Sequence, residues 1–211
     1  MKYFNHLSLL TALLCLMMSS CTTTKFATKK TVNILPYYHE VDQGEKQLIL
    51  QDVHGQQLFV NAQKLVGAEM QMGYTQSVKL EKNKDQGLYK VTQSLGTVID
   101  TSSSRINDMW VLKKLHNKAI QSNAPTLTVD LRKQRAYGTT GCNRYHSNFH
   151  LLEGGKISFG MIASTKMLCP NSDVEMEFTS LLQKVNGYQI KDRHLYLTVD
   201  GNEVMNFLKI D

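Results

Sequence analysis

Ser172-Asp-Val-Glu-Met-Glu-Phe-Thr-Ser-Leu-Leu-Gln-Lys-Val-Asn-Gly187 is the stretch in which the apolar period of the chain changes from that of a strand to that of a helix. Val174, Phe178, Leu181, Leu182 and Val185 recur at spacings of four, three, one and three, which places them on one helical face. Ser172 and Glu175 fit a capping box, and Asn186-Gly187 supplies a stop. Asp173, Glu175 and Glu177 crowd the first turn, where negative charge is favoured beside the positive end of the helix dipole. That is a simpler cause than paired carboxylates for acid/base work. On either side of the helix the chain is extended. Thr126-Leu-Thr-Val-Asp130, Ser147-Asn-Phe-His-Leu-Leu152 and Lys156-Ile-Ser-Phe159 are strands before it, the last two joined at Gly154-Gly155. Leu195-Tyr-Leu-Thr-Val199 and Val204-Met-Asn-Phe-Leu208 form a hairpin after it, turning at Asp200-Gly-Asn202. Strands, one helix and strands again give an α+β fold, mostly antiparallel β, in which the helix covers one face or mouth of a curved sheet.

Further upstream, Asp100-Thr-Ser-Ser-Ser-Arg-Ile-Asn-Asp108 breaks the apolar periodicity with small polar residues and reads as a linker over 100–108. Before it, Gln47-Leu-Ile-Leu-Gln-Asp-Val53 and Gln57-Leu-Phe-Val-Asn61 flank a His54-Gly55 turn. Val78-Lys-Leu80 and Leu88-Tyr-Lys-Val91 flank the turn cluster Asn83-Lys-Asp-Gln-Gly87. Residues 32–99 are therefore expected to form a small, mostly antiparallel β domain, and residues 109–211 a second domain. Each is near the lower end of common domain size and has room for one modest core.

The second domain carries a recognisable set of motifs. Trp110-Val-Leu112, Thr126-Leu-Thr-Val-Asp130, Gly138-Thr-Thr-Gly-Cys-Asn-Arg-Tyr145, Ile162-Ala-Ser-Thr-Lys-Met-Leu-Cys-Pro170 and the acidic helix that follows resemble, in that order, the META (HslJ-like) domain family. The paired Gly-Cys-Asn and Met-x-Cys-Pro elements are the most specific part. The chain departs from many members at Tyr145-His146-Ser147, where a Tyr-x-Gly is common. The resemblance implies a half-open β-barrel with one packed helix, an association with bacterial envelopes, stress responses, antibiotic tolerance and motility, and no enzymatic activity established for the class. It makes Trp110, Gly141, Cys142, Asn143, Tyr145, Ser164, Thr165, Cys169 and Pro170 the structural motif of the domain. Residues 32–99 are more distantly similar, through Gly73-Tyr74 and Leu88-Tyr-Lys-Val91, to small β domains of unknown function that precede META domains in other lipoproteins.

Read as chemistry, these residues favour structural roles. Gly138 and Gly141 bracket a turn, Asn143 tolerates unusual backbone angles, and together they turn Cys142 and Tyr145 inward, in preference to forming a ligand-binding backbone nest. Arg132, Lys133, Arg135 and Arg144 gather around this bend, and a solvated loop explains them better than an anionic partner. Cys142, His146 and His150 stand four apart, as zinc ligands do on a helix. Residues 147–152 read as a strand, where residues four apart lie about 13 Å from one another, so no metal site is expected. Ser164-Thr165-Lys166 has a hydroxyl near a lysine, but Met167 occupies the fourth place of a Ser-x-x-Lys motif and no Gly-x-Ser-x-Gly elbow occurs. Hydroxyls bonded to local backbone are expected, and no catalytic residue is assigned. Trp110, the single tryptophan, is expected as a core anchor.

The first residues of the chain read as an export signal. Lys2 is followed by an apolar run over residues 7–18, shorter than the roughly 20 residues that span a bilayer, and then by Ser19-Ser20-Cys21. Small residues before a cysteine are how a bacterial lipoprotein signal ends. Residues 1–20 read as a lipoprotein signal peptide, Cys21 as the lipidation site and residues 21–31 as a lipidated tether. An ordinary secretory signal with an incidental cysteine is the alternative. The whole chain carries a net charge of +6, and removal of residues 1–20 takes away one lysine and no acid. Three of the remaining cationic residues, Lys25, Lys29 and Lys30, lie in the tether, where each adds attraction to anionic headgroups of about 1 kcal/mol. The body lacks basic blocks interleaved with aromatics, so no nucleic-acid partner is expected.

An exported chain meets oxidising surroundings, and Cys142 and Cys169 are the only cysteines of the body after Cys21, so a disulfide is expected, with two buried thiols as the alternative. Thr22 follows Cys21, and the absence of aspartate there is compatible with outer-membrane sorting in a Gram-negative cell. The expected protein is a lipid-anchored envelope lipoprotein, facing the periplasm, that needs no cofactor and works by binding an envelope protein. A carrier holding a lipid or other apolar ligand in the half-open barrel is the first alternative, and a hydrolase the second.

Intact-mass analysis of the protein isolated from envelope membranes without reductant is expected to show an acylated N-terminal Cys21 and no alkylatable thiol at Cys142 or Cys169. Cys21→Ser moves the protein to the soluble fraction; equal membrane association of the two forms contradicts the lipoprotein reading, and two alkylated thiols contradict the bridge.

Overall fold

The computed structural model describes residues 29–83, 85–168 and 172–210. Cys21, the signal segment, Cys169 and Pro170 lie outside the described residues. An eight-stranded ring dominates the second half of the chain. Its strands are β7 (Met109–Leu115), β9 (Thr126–Asp130), β10 (Arg135–Thr139), β11 (Arg144–Leu152), β12 (Lys156–Phe159), β14 (Gly187–Lys191), β15 (His194–Val199) and β16 (Asn202–Lys209). Two short strands, β8 (Lys118–Ala119) and β13 (Ala163–Ser164), hang on β7 and β11. Around the ring the order is β10-β9-β7-β16-β15-β14-β12-β11, and the antiparallel β10–β11 hairpin closes it.

Closure is uneven. Most neighbours share long registers, but β12 and β14 meet through a single residue pair, Lys156 with Gly187. This thin seam is where the chain leaves the sheet for β13 and helix α2 (Ser172–Leu182) before returning as β14. The expected half-open barrel is thus a ring closed by one pair of residues at its weakest joint. Helix α2 turns Phe178 and Leu182 inward, both fully buried, and Phe178 packs edge-on against Tyr145 and Phe207. Trp110, Leu127, Phe149, Leu195, Leu197 and Met205 fill the rest of the interior, each with at most 1% exposure. Barrels of eight strands either fill with their own side chains or hold one small ligand, and this one is packed with side chains.

The upstream sheet is built from β1 (Lys30–Glu40), β2 (Lys46–Asp52), β3 (Gln57–Asn61), β4 (Leu65–Val66), β5 (Tyr74–Lys82) and β6 (Tyr89–Ile99). β1 lies centrally, antiparallel to both β2 and β5. The β2–β3 turn forms at the expected place because Asp52 accepts the backbone N–H groups of His54 and Gln56, each at 2.9 Å, while Gly55 takes φ +80°. The Lys30 ammonium, 2.6 Å from Asp52, and those two N–H groups hold its carboxyl below the usual range. The upstream sheet joins the ring through a parallel pairing of β1 with β11 at Tyr38 and Leu152. Buried residues from both halves form one continuous apolar cluster.

Several local expectations change. Segment 100–108 contains the helical turn α1 (Thr101–Ser104), capped by Asp100, whose Oδ1 accepts the Ser103 N–H at 2.8 Å. Ile106 in the same segment is fully buried, and its carbonyl accepts the Trp110 indole N–H at 3.0 Å. The polarity that suggests a linker reflects capping of a tight turn. Helix α2 ends at Leu182, ahead of the expected Asn186-Gly187 stop. Gly187 instead opens β14, where a Cβ would lie 2.6 Å from Thr198 Oγ1, and Asn186 binds the hairpin at Asp200.

Trp110→Ala removes the largest fully buried side chain and is expected to cost about 3 to 5 kcal/mol in chemical denaturation. Trp110→Phe, which fills more of the space but lacks the indole N–H that meets Ile106, retains part of that loss; if both variants unfold with the parent, the anchoring role is wrong.

Candidate functional site

Gly138 sits within β10, directly across from Tyr145 of β11, and so does not bracket the turn as its spacing suggests. A Cβ at Gly138 would lie 2.1 Å from the Thr126 carbonyl oxygen, so only glycine lets β9 come this close. That carbonyl accepts the Tyr145 hydroxyl at 2.8 Å, and burial pushes the phenol's pKa up, keeping it a donor. Gly141, at φ +98°, makes the second close approach, to the Asn123 carbonyl. Between the two, Thr140 closes the bend by accepting the Asn143 N–H on its hydroxyl at 3.1 Å and donating its own N–H to the Asn143 carbonyl at 2.8 Å.

Of the two side chains expected to face inward, Tyr145 does, at 3% exposure, but Cys142 is only half-buried; Asn143, also 3% exposed, turns inward beside it. Oδ1 of Asn143 accepts the Met167 N–H at 2.8 Å and the Thr165 hydroxyl at 2.7 Å. Its amide nitrogen donates to the Glu175 carboxylate at 3.0 Å and to the Met167 carbonyl at 3.3 Å. The Met167 N–H, which can only donate, fixes which way round the amide lies. One buried side chain therefore ties together the β10–β11 bend, the 162–168 segment and helix α2. Glu175 serves this network, a role that the expected capping box does not anticipate; the residue preceding α2 lies outside the described residues.

The 162–168 segment and α2 enclose an open cleft of about 850 Å³, whose lining includes Asn143, Thr165 and Glu175. Its rim is apolar and outward. Met167 is 56% exposed, Leu168 fully exposed and Met176 61% exposed. Lys166 and Lys184 add positive charge to the lining.

Other expected residues are placed as follows. Thr165 accepts the Arg144 N–H at 3.1 Å in addition to its bond with Asn143, while Ser164 is exposed in β13 opposite Tyr145. Among the described residues no group of three His, Cys, Asp or Glu side chains converges as metal ligands do. His146 is exposed on β11, whereas His150 packs edge-on against Tyr38. Burial there, helped by the Lys46 ammonium, pushes its pKa down to about 4. Arg132, Lys133, Arg135 and Arg144 are all exposed, and Lys133 pairs with Asp130 at 3.3 Å.

Asn143 as an organising centre is legible in hindsight from parity. It shares the strand phase of Tyr145, Ser147 and Phe149, all buried, and a buried amide demands partners for each of its polar atoms.

A family model described as META domain matches residues 104–211. No curated protein matches the chain. Two solved structures are similar. One, an NMR structure of a protein from Burkholderia xenovorans, is 26% identical and covers 56% of this chain and 96% of its own length, with a TM-score of 0.43. The other, also an NMR structure of a protein, is 19% identical and covers 49% and 89%, with a TM-score of 0.41.

Asn143→Asp replaces the amide donor with a second carboxylate beside Glu175. Two carboxylates at hydrogen-bond distance do not both ionise cheaply, so one retains its proton above the usual range of about 4. The variant is expected to be clearly destabilised at neutral pH, with the deficit shrinking on acidification toward about pH 5 as a shared proton restores one donor. A deficit independent of pH contradicts the Asn143–Glu175 contact.

Proposed function

The chain belongs to the META domain family, and from that premise we propose that it is a non-enzymatic binding module of the bacterial cell envelope. In this reading Cys21 carries the lipid that holds it to the periplasmic face of the outer membrane, and Cys142 and Cys169 form a disulfide that braces the bend against the chain entering α2. Its setting is envelope assembly or the response to envelope stress. The observation that carries the proposal is the contrast between inside and outside. The barrel interior is occupied by Trp110, Phe149, Phe178 and Phe207, whereas Met167, Leu168 and Met176 stand outward around the cleft.

A carrier of an apolar ligand needs a hollow lined by apolar groups, and the volume inside this ring is taken by its own side chains. A hydrolase needs a nucleophile beside a base; the Thr165 hydroxyl is engaged with Asn143 and Arg144. Outward methionines suit a binding surface, because an unbranched thioether side chain adapts to an irregular apolar partner. Lys166 and Lys184 select among such partners by charge. The occupant is a segment of an envelope protein with an apolar anchor and an acidic flank.

A photo-crosslinking side chain placed at Leu168 or Met176 in living cells is expected to join the protein to the same envelope partner from both positions, and not from Gln63 in the upstream sheet. Crosslinks at Gln63 alone, or a lipid co-purifying in equimolar amount with the folded protein, overturn the assignment.

A further inference from the structure

A second cleft lies where the two halves of the molecule meet. It encloses about 550 Å³, and Tyr74 of β5 and Tyr137 of β10 both line it, one from each half. Their rings are 38% and 41% exposed, and neither hydroxyl has a hydrogen-bonding partner among the described residues. Both rings stand on fixed backbone. Next to Tyr74, Gly73 takes φ +78° and lies so close to Leu131 that a Cβ would stand 2.8 Å from its Cδ1, while the Gly73 carbonyl accepts the Asp100 N–H at 2.9 Å. Tyr137 is set by its strand, directly opposite Thr128 of β9.

Polar groups share the lining with them. Asp108 accepts the Met109 N–H at 2.9 Å and faces the Lys209 ammonium at 2.6 Å; Asp130 accepts the Lys133 N–H at 3.0 Å and faces that residue's ammonium at 3.3 Å. Each carboxylate is thus held in place by one backbone donor and one cation. Two oxygens offer about four lone-pair positions, so both acids, with side chains 27% and 20% exposed, keep capacity to accept further hydrogen bonds. The Arg132 guanidinium and the Thr128 hydroxyl, also in the lining, make no hydrogen bond to the described residues.

This lining serves some ligands badly. A polyanion meets the carboxylates of Asp108 and Asp130, with Arg132 the sole cation among the described residues of the lining, and an apolar molecule meets all three charges. An extended peptide finds no free backbone, since β7, β9 and β10 have strand neighbours on both edges. A sugar ring carries C–H bonds on its faces and hydroxyls around its rim. Aromatic faces beside preformed donors and acceptors answer both. We propose that the cleft binds a saccharide chain of uncharged units, its rings against Tyr74 and Tyr137 and its hydroxyls bonded to Asp108, Asp130, Arg132 and Thr128. Tyr74, Leu131 and Arg132 also line a neighbouring cleft of about 890 Å³ that reaches Val91–Ser94, so the trough continues past Tyr74 and suits a chain better than a single unit.

The probes are the linear tetramers of glucose and of N-acetylglucosamine, titrated into the full chain and followed by amide chemical shifts. At least one tetramer is expected to move the amides of Tyr74, Thr128 and Tyr137. Tyr74→Ala and Tyr137→Ala each weaken that binding about tenfold, whereas Phe59→Ala, which removes an exposed ring outside the cleft, leaves it unchanged. No shift with either tetramer overturns the proposal, as do shifts confined to other surfaces or an equal loss in Phe59→Ala. Unchanged affinity in a folded alanine variant also overturns it. If an alanine variant fails to fold, Arg132→Gln, which alters an exposed side chain, decides: it weakens binding, and parental affinity contradicts the assignment.

Discussion

The hydrogen-bonding demand of one buried amide organises the surface on which this protein presents its cleft. An amide side chain removed from water must find partners for two acceptor sites and two donors, or lose free energy for each one left over. Asn143 meets that demand from two separate parts of the chain: Thr165 and Met167 in the 162–168 segment, and Glu175 in α2. Remove it, and Met167 loses its tie to the ring while the helix loses the Glu175 bond to the bend; β13 stays paired with β11. The outward display of Met167 and Leu168 follows, because the backbone of Met167 is held inward at both its N–H and its carbonyl while the side chains remain outside.

The ring and the helix solve one problem between them. This eight-stranded ring is filled by its own side chains, and its thinnest joint is the lone Lys156–Gly187 pair. Phe178 and Leu182 contribute to that filling from outside the sheet, so α2 has one face committed to the interior and leaves Met176 and Ser180 to line the cleft. Packing and presentation are two faces of the same helix. The same division separates the interior aromatics from the exposed methionines.

Much of the ring was readable wherever one face of a strand is buried and the other wet. Thr126–Asp130 and Lys156–Phe159 match the observed strands residue for residue, and the Asp200-Gly201 turn joins β15 to β16 as its residues require. β6 defeats the same reasoning, because a strand exposed on both faces carries no alternation. The joint between the halves is equally silent. Asp100–Asp108 is polar in the way of a linker, yet one buried isoleucine and one capping aspartate make it a packed corner. Helix α2 was visible in its apolar spacing, but its end was not. The Asn186-Gly187 pair that looks like a stop is used by the next hairpin, a tertiary demand without a local signature.

The ring also carries an order of events. β7 has β9 as one neighbour, available almost as soon as the chain has turned, but its other neighbour is β16, which arrives only after every remaining strand of the ring and the helix. Pairing Val111 with Leu208 therefore closes a loop that contains nearly the whole domain, the kind of contact whose entropic cost delays folding. Until β16 is in place, β7 and β15 are two open edges facing a gap, and Trp110 and Leu112 lack part of their cover. A chain emerging gradually from a ribosome cannot complete this barrel early; the ring locks when β16 slides between β7 and β15.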